Sequence, residues 1–334
     1  MAIFDDNRFC KRFGLTTPIA LAPMAFASGS ELTAACARAG ALGLLGGGYG
    51  DAQWTAREYS IASQMLSADN QAHARLGCGF ITWRMAENRE ALDLLLEREQ
   101  APAALMLSFG DPTPFAKDIT DRGIPLICQI QSMDQLPQAV DAGASVIVAQ
   151  GVEGGGHGYS ANEGRSTFTF VPEIADWLSQ NAPEVMLLAA GGVADGRGLA
   201  AALMLGADGV LLGSRLWATR ESLAADQAIE AAVQASGDDT ARSLVFDVLR
   251  EKQWPPEYHA RCLRNAIHRA WEDRFDELKQ APEDARAAYR EGVETHDYSR
   301  AHVTVGQGVG LINSNAKAED IIAEIDAEAR ALLR

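Results

Sequence analysis

The chain has little with which to hold a metal or build a disulfide framework. Its five cysteines, among 334 residues, are scattered and form no Cys-x-x-Cys pair. That spacing argues against a zinc site and against structural cross-links. No apolar run approaches the roughly 20 residues that a membrane-spanning helix needs. Basic residues are in deficit: 29 Lys and Arg face 45 Asp and Glu, a formal net charge of −16. Such a balance repels nucleic acid and anionic membranes, so neither is an expected partner. Residues 1–10 are polar and acidic and are not expected to act as a signal peptide. With unpaired cysteines, a reduced cytoplasmic setting fits. No internal repeat or low-complexity tract stands out beyond an alternation of strands and helices.

Apolar residues are plentiful, at 47%, enough to fill a large core. Short apolar runs that read as strands fall at 19–24, 42–48, 76–81, 103–109, 125–130 and 145–148. Two more follow at 186–190 and 207–212. Helical segments separate them at 30–39, 51–67, 88–99, 114–121 and 133–141, with Ser30 as an N-cap and Gly40 as a stop. This alternation indicates a parallel sheet buried on both faces. Eight such units suit an α/β fold of the closed (β/α)8 TIM-barrel type. An open dinucleotide-binding sheet is disfavoured, because Ala22-Pro23-Met24 follows the first strand where Gly-x-Gly-x-x-Gly would be required. Beyond Trp217 the pattern changes. Residues 221–300 hold almost no strand-like runs and read as a smaller helical domain, broken once at Trp254-Pro255-Pro256. Residues 1–220 and 301–334 are assigned to the barrel. The tail at 318–333 is an amphipathic helix expected to pack back on it, and the glycines of 306–311 return the chain towards the site.

Three glycine-rich strand ends carry the chemistry. The sixth strand runs into Gln150-Gly151-Val152-Glu153-Gly154-Gly155-Gly156-His157, four glycines in six positions and then one imidazole. Glycine lets the backbone approach a flat ligand closely, and a histidine there is placed to move protons near neutral pH. A plain loop with an incidental surface histidine is the alternative. The seventh strand ends in Gly191-Gly192 and the eighth in Gly213-Ser214, each leading into a helix. Backbone N–H groups and helix N-termini converging on one spot favour a phosphate, and the loops after strands seven and eight are its common place in a (β/α)8 barrel. The remaining histidines, His73, His259, His268, His296 and His302, lie outside these constellations and are read as surface or structural.

Over nearly its whole length the chain resembles the FMN-dependent nitronate monooxygenases, once called 2-nitropropane dioxygenases. The resemblance rests on Ala22-Pro23-Met24, Gly79-Phe80-Ile81-Thr82-Trp83, Ser108-Phe109-Gly110-Asp111, the 150–157 segment, Gly191-Gly192 and Gly213-Ser214. It continues through Trp254-Pro255, Arg261-Cys262-Leu263-Arg264-Asn265 and Gly308-Val309-Gly310-Leu311-Ile312. The family usually has Ala where Gly154 stands, and some quinone reductases of the superfamily carry Lys at the position of Gln129. The resemblance implies FMN, its phosphate on Gly191, Gly192, Gly213 and Ser214. The isoalloxazine would lie across the strand ends beside Ala22, Pro23 and Met24, with Thr82 donating a hydroxyl. Gln129 and Gln150 would contact its polar edge, while Gly151, Gly155 and Gly156 allow close backbone approach.

The implied reaction oxidises an alkyl nitronate, or a nitroalkane, with O2 to a carbonyl compound and nitrite. A nitronate gives one electron to the flavin and oxygen traps the resulting radicals. His157 is the implied catalytic residue, as base or anion partner, with Glu153 orienting the loop or the imidazole. Phe26, Trp83 and Tyr159 are candidate pocket walls. Two other functions fit the same sequence: an NAD(P)H-dependent flavin reductase of the quinone or enoyl-acyl-carrier type, and a non-catalytic flavin- or phosphate-binding protein. The nitronate preferred and any homodimer are left open.

Overall fold

The structure, a computed structural model, describes residues 6–280 and 282–334; half of the acidic 1–10 segment lies outside them. Eight parallel strands form the barrel: β1 (Ile19–Leu21), β2 (Gly43–Gly48), β3 (Leu76–Ile81), β4 (Leu105–Ser108), β5 (Leu126–Ile130), β6 (Val146–Gln150), β8 (Met186–Ala190) and β9 (Gly209–Leu212). They follow one another around the sheet in the order β1-β9-β8-β6-β5-β4-β3-β2. A parallel bridge from Ala20 to Leu42 closes the ring, with Leu21 N–H donating to the Leu42 carbonyl at 2.9 Å. Residues of the barrel strands are almost all buried, which is why they read as unbroken apolar runs.

The barrel interior is filled by Ala20, Leu42, Leu44, Met106, Ile127, Val148 and Leu188 among others. A short helix that the sequence reading did not separate, Arg8–Phe13, plugs the bottom by inserting Phe9 and Phe13 into that interior. Asn7 caps it, accepting from Cys10 N–H at 2.8 Å and donating to the Asp208 carbonyl at 2.7 Å. The helices Ser30–Arg38, Ala52–Met65 and Gly196–Met204 pack outside the strands. The tail helix Ala318–Leu332 buries Ile321, Ile322, Ile325 and Ala329 in the same layer. Its approach to the Gly196–Met204 helix is close: a Cβ on Gly196 would lie 2.6 Å from Ala329 N.

Four elements depart from the sequence reading. The segment after the sixth strand is itself a strand, β7 (Gly156–Tyr159), and a helix, Thr167–Asn181, follows with Pro172 inside it. The 221–300 stretch is not wholly helical. It contributes β10 (Thr240–Ser243) and β11 (Tyr258–Leu263), which form an antiparallel sheet in the order β10-β11-β7. This small sheet ties the 240–263 segment to the end of β6, over the carboxyl ends of the barrel strands.

Candidate active site

The carboxyl ends of the strands open into a cavity of about 530 Å³, the face on which (β/α)8 enzymes place their chemistry. One end of it is made of glycine backbone. Gly191 and Gly192 take φ of +102° and +78°, left-handed values that glycine adopts without a Cβ penalty. Among the described residues Gly192 N–H donates to no backbone acceptor. Gly213 and Ser214 stand beside them. Ser214 Oγ accepts from Gly306 N–H at 2.8 Å, leaving its own proton to donate outward. The turn Gln307–Leu311 closes the third side: a Cβ on Gly308 would lie 3.1 Å from the Gly192 carbonyl oxygen. The chain thus returns to the site as its glycines suggested. Such donors around an open space suit a phosphate dianion.

From this cradle the cavity runs over the ends of β1, β5 and β6. Ala22, Pro23 and Met24 line it, their turn fixed by Ser28, whose Oγ donates to the Ala22 carbonyl at 2.9 Å and accepts from Met24 N–H at 3.2 Å. Gln129 and Gln150 also line it. Gln150 is committed: its Oε1 accepts from Gln129 Nε2 at 3.1 Å and Gln131 Nε2 at 2.9 Å, and its Nε2 donates to the His157 carbonyl at 2.9 Å. It therefore sets the position of β7 as well as the cavity floor. Gly155 and Gly156 line the wall. Side chains are excluded at Gly155, where a Cβ would lie 2.6 Å from both Gly306 N and the Val305 carbonyl carbon. An apolar slot ending in these donors fits a flavin whose phosphate occupies the cradle.

Thr82 and Gly151 are not brought into this space. Thr82 starts the short helix Thr82–Met85, with its hydroxyl buried and unpaired. Gly151 packs on Thr167, where a Cβ would lie 2.0 Å from Oγ1. Glu153 does orient the loop, accepting from Thr167 N–H and Thr167 Oγ1 at 3.0 Å, but it makes no bond to the imidazole. Phe26 lines the cavity and stacks on Tyr49. Trp83 and Tyr159 stand behind the wall, against Trp254 and Tyr258 respectively.

His157 is held from two directions the sequence did not disclose. Its Nε2 lies 3.0 Å from both carboxylate oxygens of Asp247, which is itself 2% exposed. Its ring stacks on Trp254 with centroids 3.4 Å apart and planes 8° from parallel. Trp254 is anchored in turn, Nε1 donating to Tyr49 Oη at 2.9 Å. The loop before β7 is clamped by Arg242, whose guanidinium donates to the carbonyls of Val152, Gly154, Gly156 and His259. Burial lowers the His157 pKa below its ordinary value, against the opposing pull of Asp247, with Arg250 and Arg242 adding to the depression. The ring is thus neutral near pH 7, and the two Asp247 oxygens beside Nε2 fix its proton there. Among the described residues Nδ1 has no hydrogen-bond partner, and the ring lines the cavity. One permanent cation, Arg250, lines the same cavity, as do His296 and His302. His302 is not the bystander expected from sequence: burial, Arg250 and His157 push its pKa down to about 3.

Among the described residues no cluster of His, Cys, Asp or Glu is placed to hold a metal ion, and no helix is long and apolar enough to cross a membrane.

Fold and cavity define a (β/α)8-barrel enzyme that works at the carboxyl ends of its strands. The chain belongs to the nitronate monooxygenase family, whose model matches residues 7–328. Family membership makes it an oxidoreductase and implies a flavin. A nitronate monooxygenase of Metarhizium robertsii, npaC, is 31% identical over 336 residues, covering 93% of this chain and 90% of the relative. One from Neurospora crassa is 29% identical, covering 92% and 88%. Among solved structures, FabK from Thermotoga maritima superposes with a TM-score of 0.81 at 28% identity, covering 98% and 97%. Nitroalkane oxidase from Streptomyces ansochromogenes has a TM-score of 0.74 at 22% identity, covering 96% and 98%, and shares the fold.

Proposed function

We propose that the protein is an FMN-dependent nitronate monooxygenase with His157 as the proton-handling group at the substrate. The observation that carries the assignment is the orientation of the imidazole. Asp247 occupies Nε2, so the lone pair of Nδ1 is the part of the ring left for a substrate. A neutral, desolvated imidazole with its proton fixed on the far nitrogen is the form of histidine that accepts a proton. As Nδ1 takes the α-proton of a nitroalkane, the imidazolium formed is stabilised by Asp247. A nitronate arrives already deprotonated, and its charge is drawn to Arg250, the permanent cation of the cavity wall.

The flavin, when bound, supplies the electron acceptor, and O2 completes oxidation to a carbonyl compound and nitrite. Gly191, Gly192, Gly213 and Ser214 would hold its phosphate, and Ala22, Pro23, Met24 and Gln129 would line its ring. The support for FMN is that the cavity ends in one glycine cradle sized for a single phosphate, with no second such cradle among the described residues that line it. The purified protein should be yellow, release FMN rather than FAD on denaturation, and form nitrite from a small nitronate in air. Flavin bleached by NADH without oxygen, together with no nitrite from any nitronate, would move the assignment to a flavin reductase.

A further inference from the structure

His302 shares the cavity with His157 but has no part in the mechanism above. It follows the helix Glu283–Glu294 and leads directly into the glycine turn that closes the cradle. Its Nδ1 lies 2.7 Å from the hydroxyl of Tyr289, and Phe246 and Tyr289 flank its ring with centroids 6.0 and 5.9 Å away. The Tyr289 side chain is buried, which pushes its phenol pKa up to about 12; it keeps its proton and has it to donate. Among the described residues His302 Nε2 has no hydrogen-bond partner, and the ring lines the cavity.

A neutral imidazole carries one proton. If Nδ1 accepts from a phenol, that proton sits on Nε2. We propose that His302 Nε2–H, its tautomer fixed by Tyr289, is the donor that binds the nitro oxygens of the substrate opposite the accepting Nδ1 of His157. The inference rests on the nitroalkane and nitronate reading of the site. The two rings are complementary, one presenting a lone pair and the other an N–H. When His157 Nδ1 takes the α-proton, the C–H pair becomes the C=N π bond. The N=O π pair moves onto oxygen, where a donor already stands, so charge develops against a preorganised N–H. A neutral donor also leaves His157 basic, whereas a second imidazolium would suppress proton acceptance.

The test combines two variants with a spectroscopic readout. His302→Leu removes the donor, while His302→Gln restores an N–H at similar reach. With flavin content unchanged, the Leu variant should raise KM for a preformed nitronate roughly 10- to 100-fold, the effect of one charge-assisted hydrogen bond, and Gln should recover most of it. In the unsubstituted holoenzyme, long-range proton–nitrogen correlation spectra should show His302 as the Nε2–H tautomer, its Nε2 resonance shifting on addition of nitrite. Tyr289→Phe should release that tautomer. A Leu variant with unchanged KM, or an Nδ1–H tautomer in the unsubstituted protein, overturns the proposal. A nitrite-induced shift without turnover of any nitronate keeps the donor and overturns the functional reading instead.

Discussion

His157 and Asp247 face each other across 90 residues of chain, Nε2 within 3.0 Å of both carboxylate oxygens. The pairing decides which nitrogen of the imidazole meets the substrate. Replacing Asp247 with Asn keeps shape and burial but no longer demands a proton on Nε2, so the ring is free to present N–H where a lone pair is needed. Turnover of neutral nitroalkanes should fall roughly 10²–10⁴-fold, with a much smaller loss on preformed nitronates and normal flavin content. Steady-state nitrite release on both substrate forms checks this.

The pH dependence follows from the direction in which burial moves His157. Its pKa lies below the usual histidine value, so the neutral base survives to lower pH than a solvent-exposed imidazole. The acid limb of kcat/KM for a nitroalkane should therefore fall below about pH 6.5, the unperturbed value. Stability has the related sign. His157 and His302 bind protons more readily unfolded than folded, so the unfolded state gains protons first as pH falls, and stability declines below about pH 6.5. Unfolding midpoints measured from about pH 7 down to about pH 5 should drop, and His302→Gln should flatten part of that slope.

Adjacent glycines should respond oppositely to one added methyl. At Gly154 a Cβ would meet nothing closer than the Gly151 carbonyl oxygen at 3.3 Å, and its φ is not in the left-handed region. Gly154→Ala should keep flavin binding within about twofold, a shift of a few tenths of a kcal/mol. At Gly155 the same Cβ would strike backbone at 2.6 Å on the 305–306 segment, prising the closing turn off the cradle. Gly155→Ala should weaken flavin retention by at least an order of magnitude, about 1.4 kcal/mol or more. Flavin-release titrations distinguish the two.

The barrel was legible because its strands are buried on both faces and so appear as plain apolar runs, from Ile19 to Leu212. The cradle was legible because two successive strands end in Gly191-Gly192 and Gly213-Ser214, the first pair in left-handed conformations. β7 was not, since a Gly-His-Gly-Tyr strand has no apolar alternation. It exists because β11 pairs with it, with Ala260 opposite His157, and because Arg242 binds the Gly156 carbonyl together with those of Val152 and Gly154 in the loop before it. Asp247 and Arg250 sit in or beside a five-residue helix, Val245–Leu249, with no local pattern to mark them. Trp254 was visible as a break before two prolines, but its stacking on His157 is a tertiary contact. His302 was dismissed because nothing near it in sequence resembles a site; only the fold places it in the cavity wall.

Nitrite formation by His157→Asn, measured in parallel on a neutral nitroalkane and its preformed nitronate, tests the central claim most directly. The claim is that this imidazole removes the α-proton. Loss of the base should cost roughly 10²–10⁴-fold on the nitroalkane, against no more than roughly tenfold on the nitronate, which arrives without the α-proton and accepts no hydrogen bond from the neutral ring. Flavin content should be unchanged. Equal losses on the two substrates, or no loss on either, would contradict it.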